Sequence, residues 1–119
     1  FVTDRRTGVA ERVSVSTAGV QANGPSFAPR LSADGRFVVF LSDATNLDPK
    51  DVDPIRDVYM HDRLTKVTTL VSERFGTGLK SVGCQEAEVS DDGRMVVFMC
   101  TDNDVLPGVL GWNTFVRDT

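Results

Sequence analysis

The sequence predicts an all-β protein built from repeated sheets of antiparallel strands. The 119 residues include 18 Val and 11 Thr but only eight Leu and one Ile, a balance that favours strands over helices. Comparison of the chain with itself reveals a repeat of about 58 residues. Each copy contains Ser-x-Asp-Gly-Arg between two apolar segments, a pattern typical of a β-hairpin.

The repeat extends over several separate motifs. The segment 32–40 returns as 90–98, and Asp4-Arg5-x-Thr7 returns as Asp62-Arg63-x-Thr65. After a two-residue contraction, a further copy begins at 115–118, where Phe-Val-Arg-Asp matches the Phe-Val-Thr-Asp of 1–4. The chain therefore holds two repeats and the start of a third.

Each repeat is predicted to contain four strands. In the first repeat we place them at 26–31, 37–42, 57–62 and 67–72, and in the second at 84–89, 95–100 and 114–118. Residues 1–15 supply the last two strands of a preceding repeat. No window of helical length shows a period of 3.6 residues with capping residues.

The turn between the first two strands is predicted to be a three-residue hairpin loop. It would be a type I turn closed by Gly35, or by Gly93 in the second repeat, in the left-handed conformation that other residues disfavour. In the second repeat this loop is 91–93, so Ser90 would face Arg94 across the hairpin.

The second strand of each repeat is apolar on both faces. Phe-Val-Val-Phe-Leu at 37–41 and Met-Val-Val-Phe-Met at 95–99 do not alternate, so each strand should be covered on both sides. Four-stranded sheets stacked around an axis, the β-propeller arrangement, satisfy this requirement. In that arrangement 1–15 would belong to a preceding blade, 26–73 would form a complete blade, and 84–118 would form a blade without its fourth strand.

The repeat resembles the TolB-like propeller repeat, a Pro-Asp type related to WD repeats. The resemblance rests on Ser-x-Asp-Gly-Arg followed by Phe-Val-Val-Phe-x-Ser and then, from residue 57, Asp-Val-Tyr-x-x-Asp-Arg-x-Thr. The family favours Pro where this chain has Ala33 and Asp91, and Gly where it has Lys66. The resemblance implies a periplasmic or secreted bacterial protein whose propeller presents its surface to protein partners.

Two repeats are too few to close a ring, because propellers carry about four to eight blades. Three arrangements are open: excision from a longer chain that holds further blades, head-to-tail assembly of identical chains with three copies giving six blades, and a monomer in which 9–15 folds back onto 114–118.

The two cysteines are predicted to lie opposite each other. If Ser90 faces Arg94, the residue numbers of every cross-strand pair in this hairpin add up to 184. Those of Cys84 and Cys100 also add up to 184. A close cross-strand pair permits a disulfide, which would indicate an oxidising compartment. The alternative is a pair of buried free thiols.

Two long loops are the other candidate sites. The acidic loop 43–57 offers several carboxylates for calcium but lacks EF-hand spacing, so a solvated connection is the main interpretation. In the second repeat the equivalent loop is apolar, and its large side chains either pack on a neighbouring blade or form a partner surface: Leu106, Val109, Leu110 and Trp112.

Catalysis is not expected. The single histidine, His61, is predicted to be solvated or at a blade edge, and one His with two cysteines that are expected to pair with each other assembles no catalytic set. No cofactor or metal motif is present, so none is expected.

Three observations bear on partners and function. The net charge of −4 disfavours nucleic acid as a partner, and no apolar run is long enough to span a membrane. The main hypothesis is a non-catalytic protein-binding or scaffolding module. The alternative is a substrate-binding or gating part of a larger hydrolase or polysaccharide-cleaving enzyme.

Overall fold

The computed structural model describes residues 1–73, 83–101 and 111–119, and these form nine strands in three antiparallel sheets without a helix. The first sheet pairs two short strands. The middle sheet has four strands in sequential order, and the third sheet has three. In chain order the strands are β1 (Val2–Thr3), β2 (Ala10–Glu11), β3 (Ser26–Leu31), β4 (Phe37–Ser42), β5 (Asp57–Asp62), β6 (Val67–Leu70), β7 (Cys84–Val89), β8 (Met95–Thr101) and β9 (Trp112–Asp118).

From β3 onward the strands match the ranges predicted from the sequence to within two residues, and 1–15 holds two strands as predicted, each two residues long. β3, β4, β5 and β7 have the predicted bounds, whereas β6 ends at Leu70 and β9 begins at Trp112. The fold-back arrangement is wrong, because β2 pairs with β1 while β9 pairs with β8. Among the described residues no helix is long and apolar enough to cross a membrane.

The Ser-x-Asp-Gly-Arg turn is one residue longer than predicted. The Ser32 amide donates to the Phe37 carbonyl, which leaves four residues in the loop, and the Ser90 amide donates in the same way to Met95. Gly35 and Gly93 adopt φ of 74° and 72°, the left-handed conformation that the turn requires. The longer loop shifts the register, and a bulge between Cys84 and Glu86 shifts it back.

The arginine of the same turn explains another part of the repeat. Arg36 makes a two-pronged ion pair with Asp62, with Nε to Oδ1 at 3.0 Å and Nη2 to Oδ2 at 2.7 Å. Arg94 binds Asp118 with the same groups in the third sheet. The ion pair explains why the repeat contains two separate motifs. The arginine of Asp-Gly-Arg, in the first hairpin, binds the aspartate that ends Tyr-x-x-Asp or Phe-Val-x-Asp in the third strand.

The main core lies between the middle and third sheets. The middle sheet contributes Val39, Leu41, Val58 and Met60, and the third sheet contributes Ala87, Val96, Phe98 and the two cysteines. A smaller core on the opposite face of the middle sheet joins Phe40, Tyr59 and Leu70 to Ala44 and Leu47, with Ala22 packed against them. The central strands β4 and β5 of the middle sheet are therefore covered on both faces, whereas the edge strand β3 is exposed.

Within the described part of the chain the third sheet is covered on one face only, which differs from the expectation that 95–99 is covered on both sides. β4 is buried along its whole length, but in β8 the buried positions alternate with exposed ones. Val97 retains 37% of its accessible surface, and Val116 opposite it retains 63%. We call the exposed side chains Met95, Val97 and Val116 the outer face.

Candidate functional site

The sequence-predicted site residues occupy three places in the structure. The acidic loop and Trp112 lie at one end of the middle and third sheets, where β5 and β9 begin. His61 lies inside the middle sheet, on the face toward the N-terminal segment. Leu106, Val109 and Leu110 fall outside the described residues, so of the proposed partner surface only Trp112 is placed.

The acidic loop is attached to the sheet at single points, so its interpretation as a solvated connection holds for exposed residues such as Val52 but not for two of its carboxylates. Asp51 and Asp57 are buried. The Tyr59 hydroxyl lies 2.5 Å from Asp51 Oδ2 and 3.2 Å from the Ala44 carbonyl oxygen. Burial, reinforced by this contact with Asp51, raises the pKa of Tyr59 far above its ordinary value of 10.0. Tyr59 thus anchors the loop as a hydroxyl donor.

Three carboxylates of this loop form the one group in the described residues with metal-ligand geometry. Ligand oxygens of Asp51, Asp53 and Asp57 lie within 4.8 Å of one another. Each already accepts a hydrogen bond from the protein: Asp51 from the Asp53 amide at 3.2 Å, Asp53 from the Ile55 amide at 3.0 Å, and Asp57 from the Ser72 hydroxyl at 2.6 Å. These donors account for the cluster as a structural feature of the loop.

His61 is buried, which corrects its predicted placement at the surface. It keeps 1% of its accessible surface, and its Nδ1 lies 2.8 Å from Thr68 Oγ1. Because the Thr68 hydroxyl donates its proton to the Val15 carbonyl, Nδ1 must carry the hydrogen in this contact. Burial lowers the pKa of His61, so the neutral ring is favoured.

The two cysteines form the predicted disulfide. Cys84 and Cys100 are direct cross-strand partners with Cα atoms 4.0 Å apart, and both lie in the main core. In the middle sheet the equivalent positions are Ser26 and Ser42, which are joined by a 3.0 Å hydrogen bond. The disulfide is compatible with an oxidising or extracellular compartment.

Trp112 borders a groove between the middle and third sheets. The groove has a volume of about 370 Å³, and its walls come from the acidic loop, from Trp112 and from the start of β7: Asp43, Pro54, Ile55, Arg56, Gly83, Cys84 and Gln85. Trp112 is 49% exposed. Arg56 is held by Asp43 at 2.8 Å and lies over the Phe27 ring at 4.3 Å, so contacts within the chain position this wall.

Sequence reasoning missed the Tyr59–Asp51 contact and the buried His61–Thr68 pair. One signal was available for both. Tyr59 and His61 lie two residues apart on the third strand of a four-stranded sheet, a strand with neighbours on both sides, so they share one face. Scans against protein-family models and against curated proteins find no match to this chain.

Proposed function

We propose that this chain is a non-catalytic protein-binding or scaffolding module of the β-propeller type, with a TolB-like repeat. The observation that supports it best is the stacking of equivalent positions. Arg30 of the middle sheet contacts Glu88 of the third at 3.3 Å, and the Ala33 amide donates to Asp91 at 3.1 Å. Each pair is separated by one repeat of 58 residues, as expected for blades that repeat by a constant rotation.

The groups that could serve as a nucleophile or base support a structural role. The His61 ring is buried against Thr68, and the two cysteine sulfurs are bonded to each other. The Tyr59 hydroxyl is committed to Asp51. These side chains stabilise the sheets, which favours recognition over catalysis.

We place the partner site at the groove beside Trp112. A half-exposed Trp over a concave surface is the kind of side chain that dominates protein interfaces, because it buries a large area with few rotatable bonds. The opposite wall is formed by the apolar Pro54 and Ile55 and by Arg56, which Asp43 holds at 2.8 Å. The disulfide supports our proposal of a periplasmic or secreted protein.

Affinity capture from a periplasmic extract tests this function. We expect the immobilised chain to retain a specific protein, and Trp112→Ala to weaken that binding by about 30-fold, which is typical for an interface hot spot. Leu64→Ala is the matched control, because Leu64 is an exposed apolar residue in the β5–β6 turn.

The identity of the captured protein separates the two hypotheses. A peptidase or a polysaccharide-cleaving enzyme would favour the alternative, a substrate-binding or gating part of a hydrolase. Equal capture by the wild-type chain and Trp112→Ala would contradict the assignment of the site. Hydrolysis of peptide or glycan substrates by the purified chain would overturn the non-catalytic proposal.

A further inference from the structure

We propose that a second copy of this chain is a binding partner: β9 of one copy adds to β2 of the next, in the place of β1. The outer face of the third sheet is then buried on the middle sheet of that next copy. This inference rests on the stacked repeats of the proposed function and names one partner for them.

The first argument is that β1 and β9 are the same strand of the repeat. Phe115-Val116-Arg117-Asp118 matches Phe1-Val2-Thr3-Asp4. Within the described residues β9 pairs with β8 alone. β9 therefore offers β2 a partner of the same pattern, in the manner of strand addition at a sheet edge.

The second argument is the register. In the first sheet Val2 pairs with Glu11 and Thr3 with Ala10. The equivalent strands of the middle sheet pair Met60 with Thr69 and His61 with Thr68. Both sheets therefore predict the same register for β9 on β2. Val116 would lie opposite Glu11, and Arg117 would lie opposite Ala10. The exchange of β1 for β9 thus needs no shift of β2.

The third argument is the outer face. Its residues Met95 and Val97 are the repeat equivalents of Phe37 and Val39, and Val116 is the equivalent of Met60. Those equivalents are buried in the main core against the third sheet. The outer face therefore continues an interface that the chain already forms once within itself.

The receiving surface lies beside β3. All six residues of β3 are exposed, although their equivalents in β7 pack against β3 and β4 of the middle sheet. A cleft of about 340 Å³ lies beside this strand, lined among others by Phe27, Pro29 and Phe40. Within the chain, the middle sheet packs against β7 of the third sheet. In the assembly, the third sheet of the incoming copy would pack against β3 in the same way and fill this cleft.

Charges are complementary across the proposed contact. Within the chain, Arg30 faces Glu88 across the interface. Arg30 and Glu88 occupy equivalent positions of the repeat. In the assembly, Glu88 of the incoming third sheet would therefore lie against Arg30 in the middle sheet of the receiving copy. Positive and negative charges would then alternate from one sheet to the next. Such a head-to-tail contact closes into a ring when the rotation per copy fits, and three copies would then supply six blades.

Light scattering on the purified chain over a range of concentrations tests the assembly. We expect a mass that rises above 13.0 kDa and approaches about 39 kDa for a closed trimer. Val97→Glu should remain monomeric under the same conditions. Val52→Glu is the matched control, because Val52 is 86% exposed in the acidic loop, and it should associate like the wild type.

A variant in β1 provides the sharper test. Val2→Pro weakens the β1–β2 pairing, so it should lower the concentration at which the chain associates. Circular dichroism checks the fold of each variant, and Val116→Glu replaces Val97→Glu if that variant does not fold. A monomer at all concentrations, association of Val97→Glu equal to wild type, or weaker association of Val2→Pro would each overturn the proposal.

The two proposals fail separately. The mass is measured on the purified chain, whereas the proposed function is measured by capture from an extract. A chain that stays monomeric but retains a partner through Trp112 would refute the assembly and leave the binding function standing. A chain that assembles but captures no protein would refute the proposed binding function and leave the assembly standing.

Discussion

At the scale of single residues, His61 shows how burial changes the role of a titratable group. Its ring is covered by the N-terminal segment, where the Thr17 hydroxyl donates to the Thr68 carbonyl at 3.2 Å and accepts from the Thr68 amide at 3.0 Å. Glu11 of the same segment binds Arg63 and Lys66, and the hydrogen bond from Lys66 leads the effects that lower the pKa of Glu11. The neutral His61 thus lies under a segment held by ion pairs at its rim.

We predict that the stability of the chain falls as the pH drops from 7.5 to 5.5. The pKa of His61 is 6.5 in the unfolded chain and lower in the folded chain, so the unfolded state binds the proton more readily in this window. The loss should reach about 1 kcal/mol. Urea unfolding at both pH values measures it.

His61→Gln is the control for this prediction. The chain has one histidine, so this variant should be less stable at pH 7.5 but lose little further stability at pH 5.5. Equal pH dependence in both proteins would show that another group is responsible.

At the scale of elements, the two copies of the hairpin turn share a backbone conformation at their glycines but have different neighbours. Both glycines have left-handed φ, but a Cβ on Gly35 would have its nearest neighbour, Arg63 Nη1, at 3.6 Å, whereas a Cβ on Gly93 would overlap the Phe37 ring of the middle sheet. Gly93 is therefore required both by its own turn and by the packing of one sheet on the next.

We predict that Gly93→Ala destabilises the chain more than Gly35→Ala. Each variant places Ala in the left-handed region at a cost of about 1 kcal/mol, and Gly93→Ala adds about 1 to 3 kcal/mol for overpacking against Phe37. The difference between their free energies of unfolding in urea isolates the second effect. Equal losses would mean that the ring moves aside freely.

At the scale of the whole molecule, the disulfide acts on every conformation of the unfolded chain. It joins residues 16 apart in sequence and lies inside the core that unites the two larger sheets. A crosslink around a loop of about 15 residues removes chain entropy worth about 3 kcal/mol.

We predict that the double variant Cys84→Ser/Cys100→Ser lowers the free energy of unfolding by about 3 kcal/mol. The middle sheet has serines at the equivalent positions, so the change copies a pair that the repeat already accommodates. Urea unfolding of the variant and of the reduced wild type should give similar midpoints below that of the oxidised chain. No difference from the oxidised chain would contradict the prediction.

The sequence by itself determined the main strands, the repeat and the left-handed glycines, and it predicted that Cys84 and Cys100 lie opposite each other while leaving a disulfide and free thiols both open. These depend on local conformation and on the pairing of neighbouring strands, so alternation, turn residues and a two-copy comparison were sufficient. Even the error of one residue in the hairpin loop did not separate Cys84 from Cys100, because a bulge restores the register.

Only the tertiary structure decided which faces are covered and which residues meet across the sheets. His61 is buried because residues 13–22 return to cover the middle sheet, and Thr17 reaches Thr68 from 51 positions away. Asp51 is buried because Tyr59 draws the acidic loop inward, and Val97 is exposed because no described segment packs on it. Burial depends on what packs against a side chain, and that partner lies far along the chain.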